Sequence, residues 1–217
     1  MPNDMEGSKK SMYLSSSARQ FFEHGPQFGI MCNIVRRIGR QLEALEAGCY
    51  WMLDNGAFTG KWTLRTWLRE LWALRRYRRT CLAVMVPDVL ADWRATLRRF
   101  WLLVWIPRLL GYPVALVTQD GLTSDRVPWW LIDCLFVGGS DQHKRGPEAY
   151  QLAIAGRQRG KWIHVGRVNS GAAMIKYFSW ANSYDGTTFS RHPHQQVKSI
   201  ESGLSAIQAG IGQGRLL

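Results

Sequence analysis

Cysteine is scarce in this sequence, and its spacing excludes one common kind of metal site. The four cysteines are Cys32, Cys49, Cys81 and Cys134, and no two of them form the Cys-x-x-Cys pair of a structural zinc site. We therefore expect no structural zinc of that kind, and we also predict a protein without a bound metal or cofactor. We also expect free and mostly buried thiols, as in an intracellular protein.

Long apolar runs are also missing. The most apolar stretch, FWLLVWIPRLLG at residues 100–111, is too short to cross a bilayer and is interrupted by Pro107 and Arg108. It predicts a buried helix that stops near the proline. The first ten residues, MPNDMEGSKK, are polar and lack the apolar centre of a secretion signal. We expect a cytoplasmic protein without a membrane partner, in which residues 1–10 and 211–217 are flexible.

Acidic residues are few compared with basic ones. Asp and Glu number 16 against 28 Lys and Arg, which gives a net charge of +12 and a pI near 10. This excess favours a polyanionic partner, most simply nucleic acid, whose phosphates it would neutralise. A basic protein with no such partner, or one that meets an anionic membrane surface, is the alternative. The 11 Trp predict core or rim packing, with some rings available to stack on exposed bases.

Short β-like runs alternate with longer helical segments along the chain. Several runs are nearly continuous in Val, Ile, Leu, Phe and Met, which is typical of strands buried on both faces of a parallel sheet. The runs span residues 12–16, 28–33, 50–56, 82–88, 114–121, 134–140, 162–168 and 183–189. Apolar residues at helical spacing predict helices over residues 35–48, 62–79, 89–106, 146–160 and 194–210.

Eight β-like runs, each followed by a helix or a short connector, predict an α/β protein. The count favours a compact, single-domain (β/α)8 barrel of the TIM type that spans residues 1–217. An open doubly wound sheet is the alternative.

Polar residues stand where the strands of this barrel would end. In (β/α)8 barrels the active site forms at the carboxyl ends of the strands. The residues concerned are Asp54, Asn55, Gly56, Asp88, Gln119, Asp120, Gly138, Gly139, Ser140, Asp141, His164, Gly166, Arg167, Asp185, Gly186 and Arg191. Carboxylates that converge on one pocket repel each other and lose hydration, so they are tolerated where a ligand or a reaction uses them.

A structural interpretation exists for each of these residues taken alone. Asp54 and Asp185 stand in Asp-Asn-Gly and Asp-Gly sequences that favour tight turns. Asp88 could cap the helix that follows it, and the glycines at 138–139 could form a simple turn. For the whole set to be structural, each of these separate explanations would have to be true at the same end of successive strands. One shared site is therefore the hypothesis that we prefer.

Five segments resemble, in order and rough spacing, the motifs of tRNA-guanine transglycosylases. LDNGAF resembles their Asp-Ser-Gly-Gly-Phe segment, and VTQDG resembles their Val-Gln-Gly segment. FVGGS is similar to Gly-Gly-Leu-Ala and HVGRV to Gly-Val-Gly, while SYDGTTFSR resembles the nucleophile segment that runs from Asp through Thr-Arg. The resemblance extends from residue 50 to about residue 191.

The chain also departs from the tRNA enzymes. Their C-terminal zinc site uses cysteine and histidine, whereas the last cysteine here is Cys134, and His192 and His194 stand without sulfur partners. A shorter, zinc-free chain looks most like the phage and bacterial DNA 7-deazaguanine transglycosylases. The resemblance implies a pentosyltransferase that replaces guanine in DNA with a free 7-deazaguanine base such as preQ0, without a cofactor. A phage-encoded enzyme of this kind would act in the host cytoplasm.

The resemblance further implies a role for each residue of the site. Asp185 would attack C1′ of the nucleotide, while Asp54 would serve as general acid and then as general base. Base-binding roles fall on Asp88, Gln119, Gly138, Gly139, His164 and Phe58. For His164 and Phe58, a place in the core is the alternative interpretation.

Four basic residues are expected in loops on the catalytic side, where they could hold phosphates: Arg191, Arg167, Lys144 and Arg145. An ordinary solvated surface is the alternative for each of them. The target atom of a duplex nucleotide is hidden in the stack, so the base would be flipped out or taken from an open strand. Three other functions stay open, namely an RNA-acting enzyme like the tRNA-guanine transglycosylases, a non-catalytic nucleic-acid-binding module, and a lyase or hydrolase for a small molecule.

Overall fold

The computed structural model of the chain describes residues 11–16, 25–33, 39–60, 62–186 and 193–211 of the 217. Eight parallel strands form a closed barrel in which each strand pairs with the next along the chain and the last pairs with the first. The strands are β1 (Met12–Ser15), β2 (Phe28–Asn33), β3 (Trp51–Asp54), β4 (Cys81–Met85), β5 (Val114–Val117), β6 (Cys134–Val137), β7 (Trp162–Val165) and β8 (Ser183–Asp185). The predicted (β/α)8 barrel is confirmed, and every strand overlaps its predicted run.

Helices cover the outside of this barrel. They are α1 (Gly39–Glu46), α2 (Leu64–Leu74), α3 (Trp93–Leu103), α4 (Trp105–Leu109), α5 (Asp141–Arg145), α6 (Pro147–Gln158), α7 (Gly171–Phe178) and α8 (Pro193–Gln208). Short 3-10 helices span Arg75–Thr80 and Ser124–Arg126. The helical spacing of the sequence predicts all of these α-helices except α5 and α7.

The strands are apolar because the barrel buries them on both faces. One core cluster joins inward-facing side chains of seven strands, among them Met31, Met52, Ala83, Ala115 and Cys134, and fills the barrel interior. Two further clusters lie between the sheet and the helices. Burial on both sides leaves the ends of the strands as the natural place for polar side chains.

The apolar stretch at residues 100–111 differs from its prediction. The helix does not stop at Pro107, because α4 begins at Trp105 and places the proline in its first turn, where a missing N–H costs little. The stretch is also only partly buried, since Trp101, Leu102 and Leu109 are exposed. A helix on the outside of a barrel buries one stripe only, and a continuous apolar run does not show which stripe that is.

The last helices approach each other closely at two glycines. A Cβ atom on Gly171 would collide with the backbone of Ser199, and one on Gly203 would lie 2.5 Å from Cα of Gly171. The contact fixes α8 against α7, beside the seam between β8 and β1. In the part of the chain described by the structure, no helix has the length and apolarity needed to cross a bilayer.

Candidate active site

A cavity of about 450 Å³ opens at the carboxyl ends of the strands. Apolar side chains of the barrel interior line its depth, and polar residues from the strand ends line its wall. The polar residues are Ser16, Asn33, Asp54, Asn55, Thr59, Asp88, Gln119, Asp120, Ser140, Arg167 and Asp185, and Gly138, Gly139, Gly166 and Gly186 line it as well. The barrel therefore brings the three predicted aspartates, Asp54, Asp88 and Asp185, into one cavity.

Asp88 is buried and held by two amide side chains. Nδ2 of Asn55 donates to its Oδ1 over 2.8 Å, and Nε2 of Gln119 donates to its Oδ2 over 2.6 Å. Burial raises the pKa of Asp88, while the hydrogen bonds from Asn55 and Gln119 act in the opposite direction. Each carboxylate oxygen keeps a second lone pair, so Asp88 can still accept two hydrogens from a ligand.

The amide of Gln119 has a fixed orientation. Its Oε1 accepts the backbone N–H of Ala91 over 3.0 Å, which leaves Nε2 to face Asp88. Ala91 has a φ of 59°, a left-handed conformation that is unusual for a residue with a side chain. The loop after β4 is thus tied to the end of β5, and the pair of Asp88 and Gln119 forms one polar unit.

Asp54 has an environment that favours its neutral form. Burial raises its pKa to about 6, the charges of Asp185 and Asp88 act in the same direction, and the Gly56 N–H opposes them. That N–H donates to Oδ1 of Asp54 over 3.2 Å. A carboxyl group with such a pKa can donate a proton and later accept one near neutral pH.

Two nitrogen atoms contact the carboxyl group of Asp185. The backbone N–H of Arg167 donates to its Oδ1 over 3.1 Å, and Nε2 of His164 lies 2.9 Å from its Oδ2. The carboxyl group is mostly buried but still lines the cavity. Asp54 and Asp185 therefore differ in environment as well as in place: Asp54 accepts the Gly56 N–H, whereas Asp185 contacts the Arg167 N–H and the His164 imidazole.

The glycine pair after β6 lies where side chains do not fit. Gly139 has a φ of 80°, and a Cβ atom there would collide with the carboxylate of Asp120. A Cβ atom on Gly138 would lie 2.9 Å from the carbonyl oxygen of Thr118. The backbone of the pair consequently reaches the cavity wall directly.

Asp120 fixes the loop that carries this glycine pair. Its Oδ1 accepts the N–H of Ser140 over 2.8 Å, and its Oδ2 accepts the hydroxyl of the same residue over 2.6 Å. Partial burial opposes ionisation, but the hydrogen bonds from Ser140 outweigh it and lower the pKa of Asp120. Ser140 in turn caps α5 through the N–H of His143.

His164 and Phe58, both expected to bind the base, lie in different places. His164 is fully buried and stands behind Asp185, where its ring packs against Phe136 with a centroid distance of 4.7 Å. His164 does not line the cavity, so the geometry supports contact with Asp185 rather than with a base. Phe58 lies on the rim and is 61% exposed.

Arg167 and Lys144 both contribute cations near the site, with different exposure. The guanidinium of Arg167 stacks over the Phe58 ring at 4.8 Å and donates to the carbonyl oxygen of Gly139. Lys144 is only 3% exposed, and its Nζ donates to the carbonyl oxygen of Gly166 and pairs with Asp141 at 3.0 Å. Its ammonium is used inside the protein, and this placement does not support the expected contact with phosphate.

Arg145 is exposed next to Lys144, with its guanidinium 5.0 Å from the Tyr177 ring centre. This placement leaves it on the surface, as a phosphate contact requires. Arg191, the fourth expected phosphate ligand, lies outside the described residues. Among the residues that the structure does describe, no three His, Cys, Asp or Glu side chains form a cluster that could hold a metal ion.

Residues without a predicted role complete the site. Asn55 stands in the LDNGAF segment, where the Asn-Gly pair indicates a turn, yet its side chain holds Asp88. Phe136 lines the cavity from within the β6 run, and Ser183 hydrogen-bonds His164 at 2.8 Å. The sequence places Asn55 among the polar strand-end residues but gives no sign that its side chain holds Asp88. Phe136 and Ser183 have no local signal, because their shared partner, His164, lies on another strand.

Comparison with known proteins shows the fold and no family. No protein-family model and no curated protein matches the chain. Tryptophan synthase from M. tuberculosis, in its aminoacrylate- and BRD0059-bound form, superposes with a TM-score of 0.56 at 11% identity over 96% of this chain and 95% of that one. Tryptophan synthase from Pyrococcus furiosus gives 0.51 at 11% identity over 93% and 98%.

A mandelate racemase/muconate lactonizing protein from Herpetosiphon aurantiacus superposes with a TM-score of 0.52 at 11% identity, over 81% of this chain and 54% of that one. At such identities these likenesses show the barrel fold alone. The three structures are not transglycosylases, so they leave the resemblance drawn from the sequence motifs as a prediction.

Proposed function

We propose that this chain is an enzyme, a transglycosylase that replaces guanine in DNA with a free 7-deazaguanine base such as preQ0. The observation that carries the proposal is the shared cavity of Asp54, Asp88 and Asp185, in which each carboxyl group has a different environment. Asp54 is suited to proton transfer, and Asp88 accepts hydrogen bonds from two amide side chains. Asp185 lies between the backbone N–H of Arg167 and the imidazole of His164.

The first half of the reaction releases guanine. A carboxylate oxygen of Asp185 attacks C1′ of the nucleotide, the bond from C1′ to the base nitrogen breaks, and a covalent sugar–aspartate ester forms. Asp54, whose pKa is raised to about 6 by burial, gives its proton to the departing base. Guanine then leaves as a neutral molecule, and Asp54 is left as a carboxylate.

The second half inserts the new base. The Asp54 carboxylate takes the proton from the ring nitrogen of the incoming deazaguanine, and this nitrogen attacks C1′. The ester bond breaks, and its electron pair returns to Asp185. The two halves together leave both aspartates as they began, so the exchange needs no oxidant and no cofactor.

Recognition of the base falls on Asp88 and Gln119. A guanine-type edge presents two adjacent N–H donors, and Asp88 has one free lone pair on each oxygen once Asn55 and Gln119 are bound. Gln119 keeps a second amide hydrogen for the carbonyl side of the base. An adenine-type edge lacks this donor pattern and would leave the buried Asp88 without partners, which is costly.

The nucleic-acid substrate is supported by charge and by the cavity rim. The net charge of +12 favours a polyanion, and the exposed Phe58 with Arg167 stacked over it offers a ring and a cation at the cavity mouth. A cavity sunk into the barrel end cannot reach a paired base. The nucleotide must therefore leave the stack before the reaction.

The decisive experiment is nucleoside mass spectrometry of DNA incubated with the protein and free preQ0. We expect a deazaguanine nucleoside with the wild type and none with Asp185→Ala, while the covalent DNA adduct appears as a mass shift of the wild-type protein only. Asp125→Asn, which changes an exposed carboxylate that does not line the cavity, is the matched control. A parallel incubation with tRNA separates the DNA substrate from the RNA alternative.

Two outcomes would contradict the proposal. If the wild type binds DNA but exchanges no base with any deazaguanine, the chain is a binding module. If Asp185→Ala, folded by circular dichroism, still exchanges bases, Asp185 is not the nucleophile.

A further inference from the structure

We infer that Trp162, Ser183 and His164 form a one-directional hydrogen-bond chain that positions Asp185 for attack. This inference rests on the proposed function, in which Asp185 is the nucleophile. None of the three side chains lines the cavity, so the chain acts on the reaction through Asp185 and not through the substrate.

The chain has three links. Nε1 of Trp162 donates to Oγ of Ser183 over 2.7 Å, and that Oγ lies 2.8 Å from Nδ1 of His164. Nε2 of His164 lies 2.9 Å from Oδ2 of Asp185. Ser183 and His164 are fully buried and Trp162 nearly so, which excludes bulk water as a competing partner.

Donor chemistry gives the chain its direction. An indole N–H can only donate, so Oγ of Ser183 accepts from Trp162. A hydroxyl oxygen can accept twice, so this bond leaves the Ser183 hydrogen available for Nδ1 of His164 without by itself assigning it there. A neutral imidazole with Nδ1 as acceptor carries its hydrogen on Nε2. That nitrogen faces the carboxylate of Asp185, which accepts the hydrogen. The Asp185 carboxylate, which only accepts, and the Ser183 hydroxyl, which can donate, together favour this tautomer.

The register of the barrel makes this possible. Trp162 and His164 lie two residues apart on β7, so both side chains point to the same face of the sheet. His164 and Ser183 are direct partners between β7 and β8. Phe136, on the neighbouring strand, packs against the His164 ring and lines the cavity, and it separates the imidazole from the space where a base would bind.

The consequence for the reaction is a fixed carboxylate plane. His164 holds one oxygen of Asp185 and the N–H of Arg167 holds the other, so rotation of the carboxylate about its last bond would break both contacts. A nucleophile held in one orientation reacts faster than one that rotates. When the ester breaks and its electron pair returns to Asp185, the Nε2–H also stabilises the charge that develops there.

The first test is kinetic. His164→Leu removes the donor, and we expect the rate constant of exchange to fall by roughly 100-fold, with the base concentration at half-maximal rate unchanged within about twofold. His164→Gln keeps an amide N–H in reach of Asp185 and should recover the rate to within about tenfold of the wild type. Equal losses in both variants, or a change in base affinity alone, would overturn the inference.

A second pair of variants separates positioning from stability. Trp162→Phe removes the indole donor, and Trp51→Phe removes a partly buried bond from Nε1 of Trp51 to the carbonyl oxygen of Tyr77, at a residue that does not line the cavity. We expect both to lower the unfolding temperature, but only Trp162→Phe to slow exchange. If the two variants slow exchange equally, the chain is merely structural.

The tautomer can be measured without any activity. In a 15N-histidine-labelled wild type, the His164 signals, assigned by their loss in His164→Gln, should show a protonated Nε2 and a bare Nδ1 at pH 7. A protonated Nδ1 would overturn the direction of the chain. If the wild type exchanges no bases but shows the expected tautomer, the proposed function fails while the hydrogen-bond chain stands.

Discussion

Gln119 donates from Nε2 to Oδ2 of Asp88 over 2.6 Å, and this bond joins the ends of two neighbouring strands. The opposite end of the same amide accepts the N–H of Ala91, so the amide cannot turn over without losing both contacts. Asp88 is thus kept as an acceptor pair that faces the cavity.

Replacement of Gln119 by Met should weaken binding of the free base. Met has a similar volume but offers no hydrogen to Asp88 and no acceptor to Ala91, so a buried carboxylate loses one of its two amide partners. We expect the affinity for preQ0 to fall by about tenfold or more, as for the loss of one charge-assisted hydrogen bond. Calorimetric titration measures this, with Gln158→Met on the exposed side of α6 as control. Equal affinities of the two variants would contradict the role of Gln119.

The release of guanine should slow as pH rises through about 6. Asp54 acts as an acid in this half-reaction, and its pKa is raised to about 6 by burial and by the charges of Asp185 and Asp88. Its protonated fraction is large below that pH and declines above it. Single-turnover release of labelled guanine between pH 5 and 8 measures the effect. Asp54→Asn should be slower by roughly 100-fold or more and should lack this inflection. A wild-type rate independent of pH would contradict the assignment.

Asp54→Asn should also stabilise the fold at neutral pH, whether or not the protein exchanges bases. The pKa of Asp54 in the folded protein is higher than that of an unfolded aspartate. The free energy of unfolding of the wild type therefore falls as the pH rises from about 4 to about 6 and Asp54 ionises. Asparagine carries no charge, and its Oδ1 can still accept the Gly56 N–H. We expect a gain on the order of 2 kcal/mol in unfolding free energy at pH 7.5 and little gain at pH 4. Urea unfolding at both values measures it, and a gain that does not depend on pH would point to another cause.

Gly139→Ala and Gly160→Ala should differ in unfolding free energy. Both glycines have a positive φ, so each alanine carries a similar backbone cost of about 1 kcal/mol. Only at Gly139 would the new Cβ meet an obstacle, the carboxylate of Asp120, while the space at Gly160 is open. We expect Gly139→Ala to be less stable by about a further 1 kcal/mol and to lose affinity for the base. Equal unfolding free energies of the two variants would contradict this, because they would show that the loop after β6 shifts to accommodate the new Cβ atom without cost.

The barrel itself is predictable from the sequence, because strands buried on both faces appear as continuous apolar runs. LAVMV overlaps β4 and VALV coincides with β5, and eight such runs in alternation with helices predict a closed barrel. The shared position of Asp54, Asp88 and Asp185 follows from the same rule, since parallel strands end at one rim. Helix α7 escaped prediction, because its short GAAMIKYF segment is held in place by a glycine contact with α8.

The sequence by itself thus determined the alternation of strands and helices, the rim on which polar residues collect, and the positive charge. Only the tertiary structure decided which of these residues reach the cavity. The Lys144 ammonium is buried because it binds the carbonyl oxygen of Gly166, in the loop after β7. The His164 ring lies behind Asp185 because it binds Ser183 on β8. Such pairings depend on the register between strands, which barrel closure sets and which no local pattern of residues encodes.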